Sequence, residues 1–272
     1  MSAPDYREYA PRASLADYVR CVWTFRAPTD NAPQPIAPDG CCELIIHRAV
    51  PYLERGDGGD VAQAPILFAG QLTAPLTLVA ARDVDVIGVR FQPWAARAFL
   101  GRVADSATDK RIDLENAHGA EATETLNAVR RAPSIEEGVS LAQDYVAPRV
   151  ADRRLDADVR AAVLAMMAGD ALPAPNGVSE RQWQRRFKAE VGVSPRQLQS
   201  VLRFRRVFDE IEKPGPVGWV EAALAAGYFD QPQMARDFRR FLGVSSRQWA
   251  GQKLGLAKAM AAPETYKKSG PA

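Results

Sequence analysis

The sequence predicts an α+β protein in two parts: a β-rich amino-terminal domain of antiparallel barrel or sandwich type with helices at its end, and an all-helical carboxy-terminal domain. Three observations predict it. Residues 1–100 run as short β-branched and aromatic stretches broken by Pro and Gly. From about residue 156 onward, apolar residues recur at three- and four-residue spacing between Gly and Pro stops. Charge divides near the same line: residues 1–175 hold 18 Lys/Arg against 24 Asp/Glu, net −6, whereas residues 176–272 hold 17 against 9, net +8, together the chain's +2. An acidic first part joined to a basic second part directs only the second toward a polyanion.

The 272 residues are long for one small domain and comfortable for two, at about 150 residues per domain. A hydrophobic content of 47% with 25% charged residues belongs to an ordinary globular chain. The longest apolar run falls short of the ~18 residues of a membrane span, and MSAPDYREYA does not read as a signal peptide, so a cytoplasmic protein without membrane contact is expected. Cys21, Cys41 and Cys42 fit no disulfide framework, and with only His47 and His118 and no C-x-x-C spacing neither a metal site nor a cofactor is expected.

In order along the chain, strands are expected at YVRCVWTF (18–25), CCELIIH (41–47), PILFAG (65–70), LTLVA (76–80) and DVDVIGVRF (83–91), with PDG and GDGGD as turns between them. Beyond Pro93, WAARAFLG, ENAHGAEATETLNAVRRA and SIEEGVSLAQDYVAPRV read as helices, the last with Ser134 as N-cap. The charged stretch ADRRLDAD (151–158) marks the domain boundary. This gives domains 1–152 and 153–254 and a disordered tail at 255–272.

In the second domain VRAAVLAMMA ends at Gly169 and SERQWQRRFKAEV runs from a cap-like Ser179 to Gly192. PRQLQSVLRFRRVFDEIE starts with Pro195 and stops at Lys213-Pro214, and VGWVEAALAAGY, DQPQMARDFRRFLG and SSRQW follow. Trp183, Phe187, Val191, Gly192-Val193-Ser194 and Arg196-Gln197 return as Met234, Phe238, Leu242, Gly243-Val244-Ser245 and Arg247-Gln248, an offset of 51 residues throughout (234 − 183 and 248 − 197). That is the mark of two copies of one structural unit. In each copy the apolar residues four apart face inward, which turns Glu180, Arg181, Gln184, Arg185 and Lys188 outward in the first and Gln231, Gln233, Arg236, Arg239 and Arg240 in the second. Arg pairs with guanine O6/N7 and Gln with adenine N6/N7, so these faces carry the donors and acceptors that read major-groove edges. A single Arg/Gln face is most simply a solvated surface; its repetition in the basic part of the chain is what points to DNA.

AALAAGYFDQPQMARDFRRFLGVSSRQW (222–249) and SERQWQRRFKAEVGVSPRQL (179–198), with LRFRRVFDEI (202–211) between them, resemble the AraC-type (AraC/XylS) DNA-binding domain of two helix-turn-helix modules joined by a long helix. The resemblance implies a bacterial transcription factor, with base contacts carried over to Arg181, Gln184 and Arg185 in the first module and to Gln231, Gln233 and Arg236 in the second, and with Arg240 as a further DNA-binding residue. It also implies double-stranded DNA as partner, RNA polymerase as a further one, and a homodimer. Two departures stand out. The prolines of ALPAPNG (171–177) should shorten or distort the helix that supports the first recognition helix, and Pro232 and Ser246 alter the second module. PDGCCELI (38–45), Trp23, FAG (68–70) and GVRFQPWAARAFLG (88–101) resemble, more loosely, the cupin-like sensory domain of a bacterial subgroup of these regulators that carries a P-D-G-C motif, with Trp94 where the subgroup has Gly. The effector pocket that this implies is assigned to Trp23, Cys41, Glu43, Phe91 and Trp94.

Alternatives remain at two places. PDGCC reads as a turn leading into a buried strand with small core thiols, or as a pocket wall or thiol sensor, the last requiring exposed cysteines of lowered pKa. The basic helix faces bind DNA, or an acidic protein partner. No phosphate loop, G-x-S-x-G or paired His–carboxylate spacing occurs, so an enzyme is not expected; Asp83 and Asp85 alternate with Val84 and Val86 as the edge of a strand.

Overall fold

The computed structural model describes residues 4–29, 31–114, 119–170, 177–211 and 218–245. Met1 to Ala3, His118, most of ALPAPNG, Lys213-Pro214, Ser246 with the repeated Arg247-Gln248, and the tail therefore lie outside the described residues.

Among the described residues ten antiparallel strands form two sheets. The larger has the order β1 (Asp5–Tyr9), β2 (Val19–Ala27), β9 (Val84–Phe91), β4 (Glu43–His47), β7 (Ile66–Ala69) and β10 (Arg111–Asp113). The smaller has the order β3 (Gln34–Ile36), β8 (Leu76–Val79), β5 (Leu53–Gly56) and β6 (Gly59–Ala62). Strand periodicity sorts the central residues cleanly. Leu44 and Ile46 of β4 and Ile87, Val89 and Phe91 of β9 join the main core beneath the helices, whereas Val84 and Val86 join Trp23, Phe25, Ile36, Tyr52 and Leu78 between the sheets. Burial on both faces makes β2, β4 and β9 read as near-continuous apolar runs.

Helices α1 (Ala96–Leu100), α2 (Gly119–Arg131) and α3 (Ile135–Val150) follow, with α1 and α3 packed on the large sheet. Ser134 caps α3 by accepting from the Glu137 N–H at 3.1 Å. The second domain comprises α4 (Ala157–Ala168), α5 (Glu180–Val191), α6 (Pro195–Ile211), α7 (Trp219–Ala225) and α8 (Gln231–Leu242).

The cores do not follow the chain boundary. Val159, Val163, Trp183, Phe187, Val191 and Leu198, all from the second domain, belong to the same apolar cluster as Phe68, Phe91 and Tyr145 of the first. A separate cluster of Val201, Phe204, Val207, Phe208, Met234, Phe238 and Phe241 holds α7 and α8 on α6. Polar ties reinforce the first junction: Arg97 Nη1 meets Glu190 Oε1 at 2.5 Å, Thr108 Oγ1 donates to the Gly192 carbonyl at 2.6 Å, and Arg160 Nη2 meets Asp17 Oδ1 at 2.6 Å. Burial pushes the Glu190 carboxyl above the usual range, and Arg97 opposes it.

Candidate nucleic-acid interface and effector cavity

The repeat in the sequence is a repeat in space. Helices α5 and α8 begin and end 51 residues apart, with N-caps at Ser179 and Asp230 and left-handed C-caps at Gly192 and Gly243. Ser179 and Gln182 close a capping box, and Asp230 accepts from the Gln233 N–H at 2.6 Å. Pro232 falls within the first turn of α8, where its missing N–H costs nothing. The inward residues match as well, since Trp183, Phe187 and Val191 are buried in α5 as Met234, Phe238 and Leu242 are in α8.

Arg181, Gln184 and Arg185 are exposed on α5; Gln231, Arg236, Arg239 and Arg240 are exposed on α8, and Gln233 is half-buried. Two of the amides are engaged locally, Gln184 Nε2 donating to Glu180 Oε1 at 3.0 Å and Gln233 Oε1 accepting from the Phe229 N–H at 3.1 Å. Arg186, one position further along α5, does not join the outward face: it pairs with Asp156 and Asp158 at the start of α4.

Sequence reasoning passed over Arg196. This exposed residue in the first turn of α6 lines, with Arg203, Gln233, Arg236 and Arg240, a polar groove of about 520 Å³ between α6 and α8. Its signal in the sequence is its place in the 51-residue repeat, opposite Arg247. At the floor of the groove the buried Asp237 accepts from Tyr228 Oη at 2.9 Å and from Ser200 Oγ and Arg203 Nη2 at 3.3 Å each. Arg203 also lies 4.5 Å over the Tyr228 ring. This network fixes the rotation of α8 about its own axis, and with it the direction in which Arg236 and Arg240 point.

A cavity of about 80 Å³ lies between the two sheets. Of the five residues assigned to an effector pocket, Trp23, Cys41 and Glu43 line it. Phe91 and Trp94 do not. Phe91 projects from the opposite face of β9 to pack on Phe99 (ring centroids 4.6 Å apart), and Trp94 is buried in the main core with its Nε1 donating to the Asp17 carbonyl at 2.9 Å. Both aromatics hold the junction with the helices.

Glu43 is the centre of a buried network. Its Oε1 accepts from Trp23 Nε1 at 3.1 Å and from Arg90 Nε at 2.8 Å, and Arg90 also approaches Asp39 at 3.4 Å. Burial pushes the Glu43 carboxyl up while Arg90 opposes it. The Pro38-Asp39-Gly40 turn is closed by Asp39 Oδ1 accepting from the Cys41 N–H at 2.9 Å, with Gly40 at φ +84°. A β-carbon on Gly40 would stand 3.0 Å from Leu198 of α6, so the turn carries cavity lining on one side and leans on α6 with the other. The thiol-sensor alternative fails on its own terms: all three cysteines are buried, and burial pushes Cys21 up to about 12 and Cys41 up to about 11, away from a reactive thiolate. Among the described residues no cluster of His, Cys, Asp or Glu could hold a metal, and no helix is long and apolar enough to cross a membrane.

The helical domain and its basic faces define a helix-turn-helix, DNA-binding transcription regulator. A family model described as a helix-turn-helix domain matches residues 175–252, and one described as Domain of unknown function (DUF6597) matches residues 7–113. No curated protein matches the chain. Among solved structures the chain is similar to apo ToxT from Vibrio cholerae at 9% identity, covering 86% of this chain and 96% of that one with a TM-score of 0.45. It is also similar to ToxT from Vibrio cholerae with an unsaturated fatty acid bound (8% identity, 83% and 92% covered, TM-score 0.42). A third is the same organism's ToxT bound to (E)-4-(8-methylnaphthalen-1-yl)but-3-enoic acid (11% identity, 91% and 97% covered, TM-score 0.39). TM-scores below 0.5 leave this chain's function to be read from its own residues.

Proposed function

We propose that the chain is an AraC-type regulator that sets α5 and α8 into successive major-groove segments of one DNA face, roughly 34 Å apart. The β-rich domain controls them through an effector or through dimerisation. The observation that carries this reading is the matched pair of capped helices at an offset of 51 residues, sharing three buried apolar positions and presenting Arg and Gln outward. Arg181, Gln184, Arg185, Gln231, Gln233 and Arg236 read base edges, and Arg196, Arg239 and Arg240 suit phosphates. For effector control, the support is the turn at Gly40, whose neighbours Asp39 and Cys41 line the cavity while it packs on α6. RNA polymerase and a second copy of the chain are the further partners of this reading.

The test is selection of genomic fragments by the purified protein, followed by a polarisation titration of a selected duplex and a random one at two salt concentrations. Specific binding with a steep salt slope is expected. Equal affinity for both duplexes, or no retention of DNA, overturns the reading in favour of an acidic protein partner.

A further inference from the structure

The cavity between the sheets contains polar atoms that the chain does not use. His47 ends β4 and Tyr52 precedes β5; both side chains are buried and meet edge to face, ring centroids 5.9 Å apart. Neither imidazole nitrogen of His47 nor the Tyr52 hydroxyl has a hydrogen-bond partner among the described residues. Gln63 stands close enough to favour the charged imidazole, without reaching hydrogen-bond geometry. Buried polar atoms are nearly always satisfied, so three unpaired ones on a single cavity wall mark a place completed from outside the chain.

The charged groups that reach the cavity have partners within the chain. Glu43 is held by Arg90 and Trp23, Asp39 by Arg90 and the Cys41 N–H, and Arg111 by a two-pronged pair with Glu54. With Arg111 engaged and the carboxyls of Asp39 and Glu43 on the wall, a ligand anion would find no free counter-charge there and would be buried at a large penalty. Burial pushes His47 down to about 4, so at neutral pH it offers one N–H donor and one lone pair, and Tyr52 offers a hydroxyl. The rest of the wall is apolar, with Phe25, Leu67 and Leu78 among its members. A cavity of about 150 Å³ holds a benzene, so 80 Å³ admits about three to four non-hydrogen atoms.

Resting on the reading of the β-rich domain as the control domain, we propose that its cavity takes an uncharged, largely apolar molecule of that size, a small alcohol or ketone. Its single oxygen is hydrogen-bonded between His47 and Tyr52. The turn that carries Asp39 and Cys41 is then the part of the wall through which occupancy is felt at α6.

Calorimetric titration of the full chain with 2-propanol and acetone, against acetate as an anionic counterpart of the same size, tests this. The neutral pair is expected to bind saturably with one site per chain, and acetate at least about tenfold more weakly. Tyr52→Phe removes a hydroxyl without a partner, so its unfolding midpoint should not fall, while its affinity for 2-propanol should drop about tenfold, the worth of one hydrogen bond. Acetate binding as tightly as 2-propanol, a Tyr52→Phe protein that binds 2-propanol as well as the parent, or no saturable binding by either neutral probe overturns the proposal. Titration of a selected DNA duplex with the same preparation separates the two readings. DNA binding without probe binding removes the ligand alone; probe binding without DNA binding removes the regulator reading and leaves the cavity assignment standing.

Discussion

Asp237→Ala is the substitution that separates the orientation of α8 from its mere presence. Three donors converge on this buried carboxylate: Tyr228 Oη at 2.9 Å, and Ser200 Oγ and Arg203 Nη2 at 3.3 Å. Tyr228 is buried, so its hydroxyl has no water to turn to, and an orphaned buried donor costs about 1–3 kcal/mol. The ion pair adds less, since Arg203 is 24% exposed, and is taken as about 1 kcal/mol after screening. The expected loss is therefore about 2–4 kcal/mol, borne by the cluster that binds α7 and α8 to α6. Urea unfolding followed by circular dichroism should show an earlier transition for that cluster, with the shared core unfolding later. Tyr228→Phe, which removes the donor and leaves the ring beneath Arg203, should cost about 1 kcal/mol. Because both substitutions break the same contact, the double variant should cost less than the two together, by about 1 kcal/mol. Losses that add, or an Asp237→Ala loss below about 0.5 kcal/mol, would refute the network as the lock on α8.

Three further outcomes are expected. Arg236→Ala should weaken a selected operator by about 1–3 kcal/mol, roughly 5- to 150-fold, and relax preference at one position, whereas Arg185→Ala should do the same only if the first module docks; polarisation titrations against single-base variants of the duplex decide, and unchanged affinity and preference for Arg236→Ala would remove it as a base reader. His47 has a folded pKa of about 4 below its ordinary 6.5, so between these values the unfolded chain binds more protons and stability falls as pH drops from 6.5 to 4, by about 3 kcal/mol in all; His47→Leu should flatten that slope in urea titrations at pH 7 and pH 5, and an unchanged slope would count against it. Gly88→Ala would place a β-carbon 2.1 Å from the buried Trp23 indole and should cost about 1–3 kcal/mol by forcing the ring out of its place, read as an earlier unfolding midpoint and altered tryptophan fluorescence; an unaltered midpoint would show that the indole is free to shift.

What the sequence made legible was whatever is written in local spacing. The central strands, all the helices and the N-cap at Ser134 follow from apolar runs, 3.6-residue periodicity and capping chemistry. The strands it missed are the short or polar ones: β1 as DYREY, β3 as QPI, β5 as LERG, the wholly exposed β6 and the three-residue β10, all at or next to a sheet edge, where charge and brevity are favoured and the apolar signal vanishes. The outward faces of α5 and α8 were legible because four-residue spacing fixes them. The cavity was legible only in part, because which side of β9 a residue takes depends on parity. Even-numbered Val84, Val86, Gly88 and Arg90 face the small sheet, and Phe91, one position on, cannot. The unpaired His47 and Tyr52 had no local signal, since being unsatisfied is a property of the surroundings.

The same distinction explains how the two modules differ in a way their sequences conceal. Net charge changes sign near residue 175, which suggests that the first helix-turn-helix module belongs with the second; packing says otherwise, since Trp183, Phe187 and Val191 share a core with Phe91 and Tyr145 while Met234, Phe238 and Phe241 have a core of their own. Among the described residues only α6 contributes buried side chains to both, through Leu198 and Leu202 on one side and Val201, Phe204 and Phe208 on the other. The angle between α5 and α8 is thus set along one helix, which is where Gly40 makes contact, a β-carbon there standing 3.0 Å from Leu198 and 3.4 Å from Leu202. A close-packed core does not deform continuously, so a turn moved by an occupant of the cavity would shift α6 relative to the shared core or not move at all. In either case α5 stays with the β-rich domain, and the position of α8 relative to it is the quantity such a change can alter.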